Sequence, residues 1–300
     1  MAQTVIDWPI HTLDEMPYRS WEAELTLGYV ARGDKTVLKH RTHKGPLAVQ
    51  RSLYPEGGVC HTHLLHPPGG VVGGDSLDVH VDLAVGSKAL ITTPGATRFY
   101  RSDGRIGQLT QTLTVADSAR LEWLPLENIA FPNARLRTRT AISLTASAQF
   151  IGWDVWTLGQ PATETTFENG EIDGLTTVHV DERLILCERL RVNPEQMRFS
   201  ATGLRGHSVC GTLIVHGDAE AIVERLKLWW SEQQEQKLTR ADMTNLTGIE
   251  LGITEVDGLV IVRALALKTD VLFNVMALCW QQVRLHWTGE IPDIPRIWRT

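Results

Sequence analysis

Leu77-Asp78-Val79-His80-Val81-Asp82-Leu83 alternates strictly between apolar and polar side chains. Successive side chains of an extended chain point to opposite faces, so Leu77, Val79, Val81 and Leu83 share one face and Asp78, His80 and Asp82 the other. The stretch reads as a half-buried β-strand. The same pattern returns at residues 109–115, where Leu109, Leu113 and Val115 oppose Thr110, Thr112 and Thr114, and again at 137–144 and 175–180. Turn formers separate these runs: Gly86-Ser87, Asp117-Ser118, Asn133, Ala146-Ser147 and Glu168-Asn169-Gly170. No strict repeat period is visible. The first two thirds of the chain are therefore expected to be nearly all β, as a long antiparallel array.

Two segments depart from that period. Asp218 is placed to cap a helix whose apolar positions Ile222, Leu226 and Trp229 or Trp230 follow helical spacing as far as about Lys237. A second helix is predicted after Thr269, with Leu272, Val275, Met276, Cys279 and Val283 on one face and a stop at Gly289. Strand-like pieces at 247–254 and 259–266 lie between them, and no shift of composition marks a linker.

Of the 300 residues, 43% are hydrophobic and 21% charged, ordinary values for a folded globular protein. The formal charge of −6, with no block of lysine and arginine, gives no electrostatic footprint for nucleic acid or an anionic membrane. The N-terminus lacks a basic stretch followed by an apolar core, and no apolar run approaches the roughly 18 residues of a membrane span. A cytoplasmic location is expected. The four cysteines, Cys60, Cys187, Cys210 and Cys279, show no Cys-x-x-Cys spacing and are expected to be reduced thiols.

Candidate chemistry is sparse. Gly206-His207-Ser208-Val209-Cys210-Gly211 approximates a nucleophile elbow with its second glycine displaced by one position, but 212–215 reads as a strand where an elbow needs a helix. A serine hydrolase centred on Ser208 is thus a rival reading with the wrong context. Cys60, His61, His63 and His66 pack four soft or borderline metal ligands into seven residues, with His61 and His63 on one strand face and Cys60 on the other. They read either as solvated histidines on a strand edge or as a metal site, which a stand-alone nickel storage or sensor protein would require. His40 and His43 are further residues of the same type.

Two carboxylates stand out. In Phe150-Ile151-Gly152-Trp153-Asp154-Val155-Trp156 both strand faces are apolar, so Asp154 shares its face with Phe150 and Trp156 and is expected to be buried. Glu188 shares its face with Leu184, Leu186 and Leu190 and is read as buried too. A buried, unpaired carboxylate is costly, so each must be paired, neutralised, metal-linked or facing an internal water-filled space. Ion pairs with Arg98, Arg101, Arg137 or Arg139 are one solution, and a catalytic acid/base dyad is another.

His66-Pro67-Pro68-Gly69-Gly70-Val71-Val72-Gly73-Gly74-Asp75 combines four glycines and two prolines, which force turns and close backbone approach. Together with Thr92-Thr93-Pro94-Gly95-Ala96-Thr97-Arg98-Phe99-Tyr100-Arg101, this block resembles the UreD family, also called UreH, of urease accessory proteins. Agreement extends through Leu121-Glu122-Trp123-Leu124-Pro125-Leu126-Glu127-Asn128, Gly152-Trp153-Asp154, Leu158-Gly159-Gln160-Pro161, Glu188-Arg189-Leu190 and Pro295-Arg296-Ile297-Trp298. Family members usually carry Arg at the position of Gln160 and Gln at that of Leu126. Residues 1–17 fall outside the resemblance and are expected to form a flexible extension to a single unit over 18–300.

The resemblance implies a mainly β, superhelical fold with two helices in the C-terminal third, and a maturation chaperone rather than an enzyme. Such a protein binds apo-urease and UreF, through which the GTPase UreG brings nickel. It holds no tightly bound cofactor and handles nickel ions only in transit. The family is thought to pass the metal through an internal channel, and Asp154, Glu188 and Thr97 occupy matching positions for its polar lining. Residues 60–66 then become a candidate inlet or outlet.

Overall fold

A computed structural model describes residues 20–193, 200–239 and 248–299. Residues 1–17, expected to be a loose extension, lie outside them. Among the described residues the chain forms eighteen strands and two α-helices. The first seven strands are β1 (Glu22–Arg32), β2 (Lys35–Lys44), β3 (Ala48–Val49), β4 (Cys60–Leu65), β5 (Ser76–Leu83), β6 (Lys88–Thr92) and β7 (Thr97–Phe99). Next come β8 (Gly107–Val115), β9 (Arg120–Trp123), β10 (Asn128–Ala130), β11 (Arg135–Leu144), β12 (Gln149–Gln160) and β13 (Thr165–Thr166). The last third carries β14 (Glu171–Val180), β15 (Arg183–Val192), β16 (Val209–His216), α1 (Ala219–Thr239), β17 (Ile249–Val256), β18 (Leu259–Ala266) and α2 (Thr269–Thr288).

The strands make two sheets. One runs β15-β14-β11-β8-β5-β1-β2 and the other β17-β18-β16-β12-β9-β6-β4-β3, with β7, β10 and β13 attached to the second near β12. From β4 to β14 the main strands alternate between sheets, so each return to a sheet runs in the same direction. The interior pairs are therefore parallel, and antiparallel pairing is left to β1 with β2, β3 with β4, β12 with β13, β14 with β15, and the end built from β12, β16, β18 and β17. The mainly β, superhelical class holds, with both helices in the C-terminal part.

The tight corners of this solenoid stack on one another. Gly86 N–H donates to Asp117 O, Ser118 N–H to Ser147 Oγ, and Ala146 N–H to Asp181 Oδ1. All but Asp181 are turn formers read from the sequence, and Ser118 and Gly86 sit at φ of 55° and 71°, where Ser118 pays a strain that glycine avoids.

Burial follows the layers. The inward residues of β5 (Leu77, Val79, Val81, Leu83) are buried and their partners Asp78, His80 and Asp82 are not, because the outer face of the seven-stranded sheet meets solvent. The second sheet is covered twice. Its inner face joins the core between the sheets through Leu121 and Phe150, while Leu90, Ile151, Val155, Leu213 and Val262 pack against the helices. Hence Phe150 to Leu158 is apolar on both faces.

Helix α2 lays Leu272, Val275, Met276, Cys279, Trp280 and Val283 on that sheet and ends at Gly289 in the left-handed region, as its spacing predicts. Each such side chain is worth roughly 1.5–3 kcal/mol when fully buried. Helix α1 buries Ile222, Leu226 and Trp229. Asp218 precedes it at φ 60° in the cap position, its backbone oxygen accepting from Ile222 N–H at 3.1 Å, while its carboxylate accepts from His286 Nε2 of α2 at 2.6 Å and ties the helices together. Among the described residues no helix is long and apolar enough to cross a membrane.

Candidate functional site: a polar cavity between the sheets

On the inward faces of three strands the large aliphatics gather at one end and give way to small or polar groups farther along. On β11, Leu144 and Ile142 are followed by Thr140 and Thr138; on β12, Phe150 by Gly152 and Asp154; on β16, Ile214 by Thr212 and Cys210. The core thins where these substitutions coincide and leaves a cavity of ≈ 890 Å³. Asp154, Glu188 and Thr97 all line it.

Strand register sets the polar groups in rows. Asp154 on β12 stands opposite Thr212 on β16, and Thr212 opposite Arg263 on β18. Across the gap, Thr140 on β11 pairs with Thr176 on β14 and Thr176 with Glu188 on β15. On the other side Thr97 of β7 pairs with Asn128 of β10, and Asn128 with Trp156 of β12.

Asp154 is held by neutral donors. Asn128 Nδ2 donates to its Oδ1 at 2.9 Å and Trp156 Nε1 to its Oδ2 at 2.7 Å. The carboxyl sits deep between the sheets, and its surface is half-buried because the cavity reaches it. Burial pushes its pKa up to about 6 against the pull of those two hydrogen bonds, with the charge of Glu188 adding to the rise. Cys210, also on the wall, is driven up to about 12 by burial and secondarily by Asp154, so its thiol keeps its proton.

Glu188 is not buried as its pattern predicted: its side chain is 27% exposed, because β15 is the edge of its sheet. Its partner is Arg263, whose Nη2 and Nε donate to the two carboxylate oxygens at 2.8 and 3.2 Å. Of the arginines proposed from sequence, Arg137 and Arg139 both turn to Asp173, and Arg98 lines the cavity without pairing with either carboxylate. Asn128 and Arg263 were not singled out by sequence; the only signal for Asn128 was its place in the Leu121 to Asn128 block.

The cluster at 60–66 does not converge. Cys60 points into the core between the sheets, His61 bonds Glu56 Oε1 at 2.8 Å, and His63 Nδ1 lies 3.0 Å from Gln50 Oε1. Of the four, only His66 lines the cavity. His40 and His43 are exposed on the edge strand β2. Among the described residues no group of three or more His, Cys, Asp or Glu side chains is arranged to hold a metal ion.

His61 belongs instead to a buried charge network. Arg284 of α2 bonds Glu56 and donates to Glu122 at 2.8 and 2.9 Å, and Trp280 Nε1 donates to Glu122 at 2.6 Å. Burial alone would raise the Glu56 carboxyl, but hydrogen bonds from His61 and Arg284 draw it down to about 2. Ser208 donates to Leu267 O at 3.1 Å and is followed by β16, a strand, as expected of a residue that is no elbow nucleophile.

These features define a class: a two-sheet β solenoid backed by two helices, with a partly open cavity, crossed by a row of polar groups, in place of part of its core. A model of the UreD urease accessory protein family matches residues 22–299, and the chain belongs to that family. Relatives include the urease accessory protein UreD of Vibrio parahaemolyticus, 44% identical over 280 residues (93% of this chain, 96% of the relative). That of Aliivibrio fischeri strain MJ11 is 41% identical over 280 residues (93% and 96%), and that of Klebsiella aerogenes 38% over 282 (94% and 98%).

Proposed function

We propose that this chain is a non-catalytic urease maturation chaperone that binds apo-urease and, with UreF and the GTPase UreG, helps deliver nickel to the urease active site through its internal polar cavity. The observation that carries the reading is the row of polar groups through Asp154: Thr97 and Asn128 on one side, Thr212, Arg263 and Glu188 on the other. A cation in transit needs several weak oxygen stations, since one tight site would trap it. Carboxylate and hydroxyl oxygens spaced along a cavity meet that demand, and His66 adds an imidazole at its wall.

The partner half of the proposal is tested by tagging the full chain and purifying it from extract of a urease-producing cell. Urease structural subunits and UreF are expected to co-purify; their absence from a soluble, folded sample contradicts it.

A further inference from the structure

The ion pair between Glu188 and Arg263 joins the two sheets. Glu188 lies on β15, the edge of the seven-stranded sheet, and Arg263 on β18 of the other, and both line the cavity. The guanidinium fork engages both carboxylate oxygens, at 2.8 and 3.2 Å. Asp154 differs: it receives only the neutral donors Asn128 and Trp156, although it stands in the same cross-strand row as Arg263 with Thr212 between them. On the wall Asp154 thus lacks a cationic partner, whereas Glu188 and Glu250 are already neutralised, by Arg263 and Arg205.

Arginine has no lone pair to offer a metal and does not lose its charge. While its fork holds Glu188, two of that carboxylate's lone pairs are taken, its charge is balanced and the guanidinium repels any cation beside it, so a cation is held less tightly there. The pair is also partly solvated, with side-chain exposures of 50% and 27%. A pair of this kind shifts an equilibrium by a factor of only about two to five, so a divalent ion can displace it.

We propose that Arg263 is a resident counter-ion that competes with divalent metal cargo for Glu188 and so keeps the cavity's hold on that cargo loose enough for release. This rests on the transit reading above. Arg263 is a positioning residue, acting through Glu188.

The test titrates Ni²⁺ into the full-length chain by calorimetry, alone or with its partner proteins, and measures nickel per urease active site in cells carrying the same variants. Arg263→Gln is expected to bind Ni²⁺ about two- to five-fold more tightly and to load urease less well. Glu188→Gln added to it should abolish the tightening, and Arg263→Lys, which keeps the charge without the fork, should fall between. Arg263→Lys also serves where Arg263→Gln fails to fold by circular dichroism. Unchanged or weaker binding by the folded Arg263 variants, or tighter binding with normal loading, overturns the inference. Asp154→Asn separates the two claims: normal loading by that variant sinks the transit reading itself, whereas poor loading beside wild-type behaviour of Arg263→Gln sinks only the role of Arg263.

Discussion

Asn128 donates from Nδ2 to Asp154 Oδ1 at 2.9 Å, linking the neighbouring parallel strands β10 and β12 on the cavity wall. The bond orients a carboxylate without neutralising it. Burial dominates, and the pKa rises from 3.8 to about 6. The folded protein therefore holds a proton on Asp154 between about pH 4 and 6 that the unfolded chain has released. Stability from this group is fully present below pH 4 and is lost as pH rises through 6.

Asp154→Asn removes that titration. Wild type should lose stability relative to the variant over the window from about pH 4 to 6, by an amount on the order of 1–3 kcal/mol. Urea denaturation at a series of pH values reads this directly, and parallel curves for the two proteins contradict the assignment.

Arg284 holds a charge that no solvent reaches. Glu122 is 0% exposed, and its oxygens take Arg284 and Trp280. Arg284→Met leaves Glu122 with Arg120 as its remaining cation, at 3.2 Å, and strips Glu56 of its arginine. The expected cost is about 3–5 kcal/mol in chemical denaturation, since one member of a buried set is removed and the rest stay ionised. A loss below about 1 kcal/mol would show that the network is solvated or neutral.

Gly70 shows why the loop at 66–75 needs its glycines. A Cβ there would stand 2.3 Å from Tyr100 Cε2 and 2.7 Å from the backbone oxygen of Arg98, where Val71 N–H and Tyr100 N–H tie the two segments together. Gly70→Ala should cost about 1–3 kcal/mol and loosen this wall of the cavity. Amide hydrogen exchange checks it: faster exchange at Val71 and Tyr100 is expected, and unchanged protection is the adverse result.

Strand faces and helices were legible because their periods reflect burial alone. Leu77 to Leu83 alternates since one sheet face is solvated, and Leu272 to Val283 follows helical spacing since α2 lies flat on the other sheet. Pairing direction was not legible. Strict alternation usually marks an antiparallel sheet, but a solenoid leaves a parallel sheet with one wet face, and the connections through β7, β10 and β13 vary too much in length for a repeat to show. Asp154 was readable as the lone carboxylate in a doubly apolar run. Arg263 was not, since a single arginine in residues 259–266 looks like any solvent-facing strand position until the other sheet supplies Glu188. The helix start at Asp218 was readable, but the partner of its carboxylate was not, for a similar reason: His286 lies 68 residues away.

The central claim concerns passage through the cavity, and the most direct measurement is nickel per active site in urease matured with wild type or with the chain carrying Asp154→Ala and Glu188→Ala. The double variant is expected to fold and still co-purify with urease and its partner proteins but to leave the enzyme depleted of nickel. Normal nickel content in urease matured by that variant would contradict it.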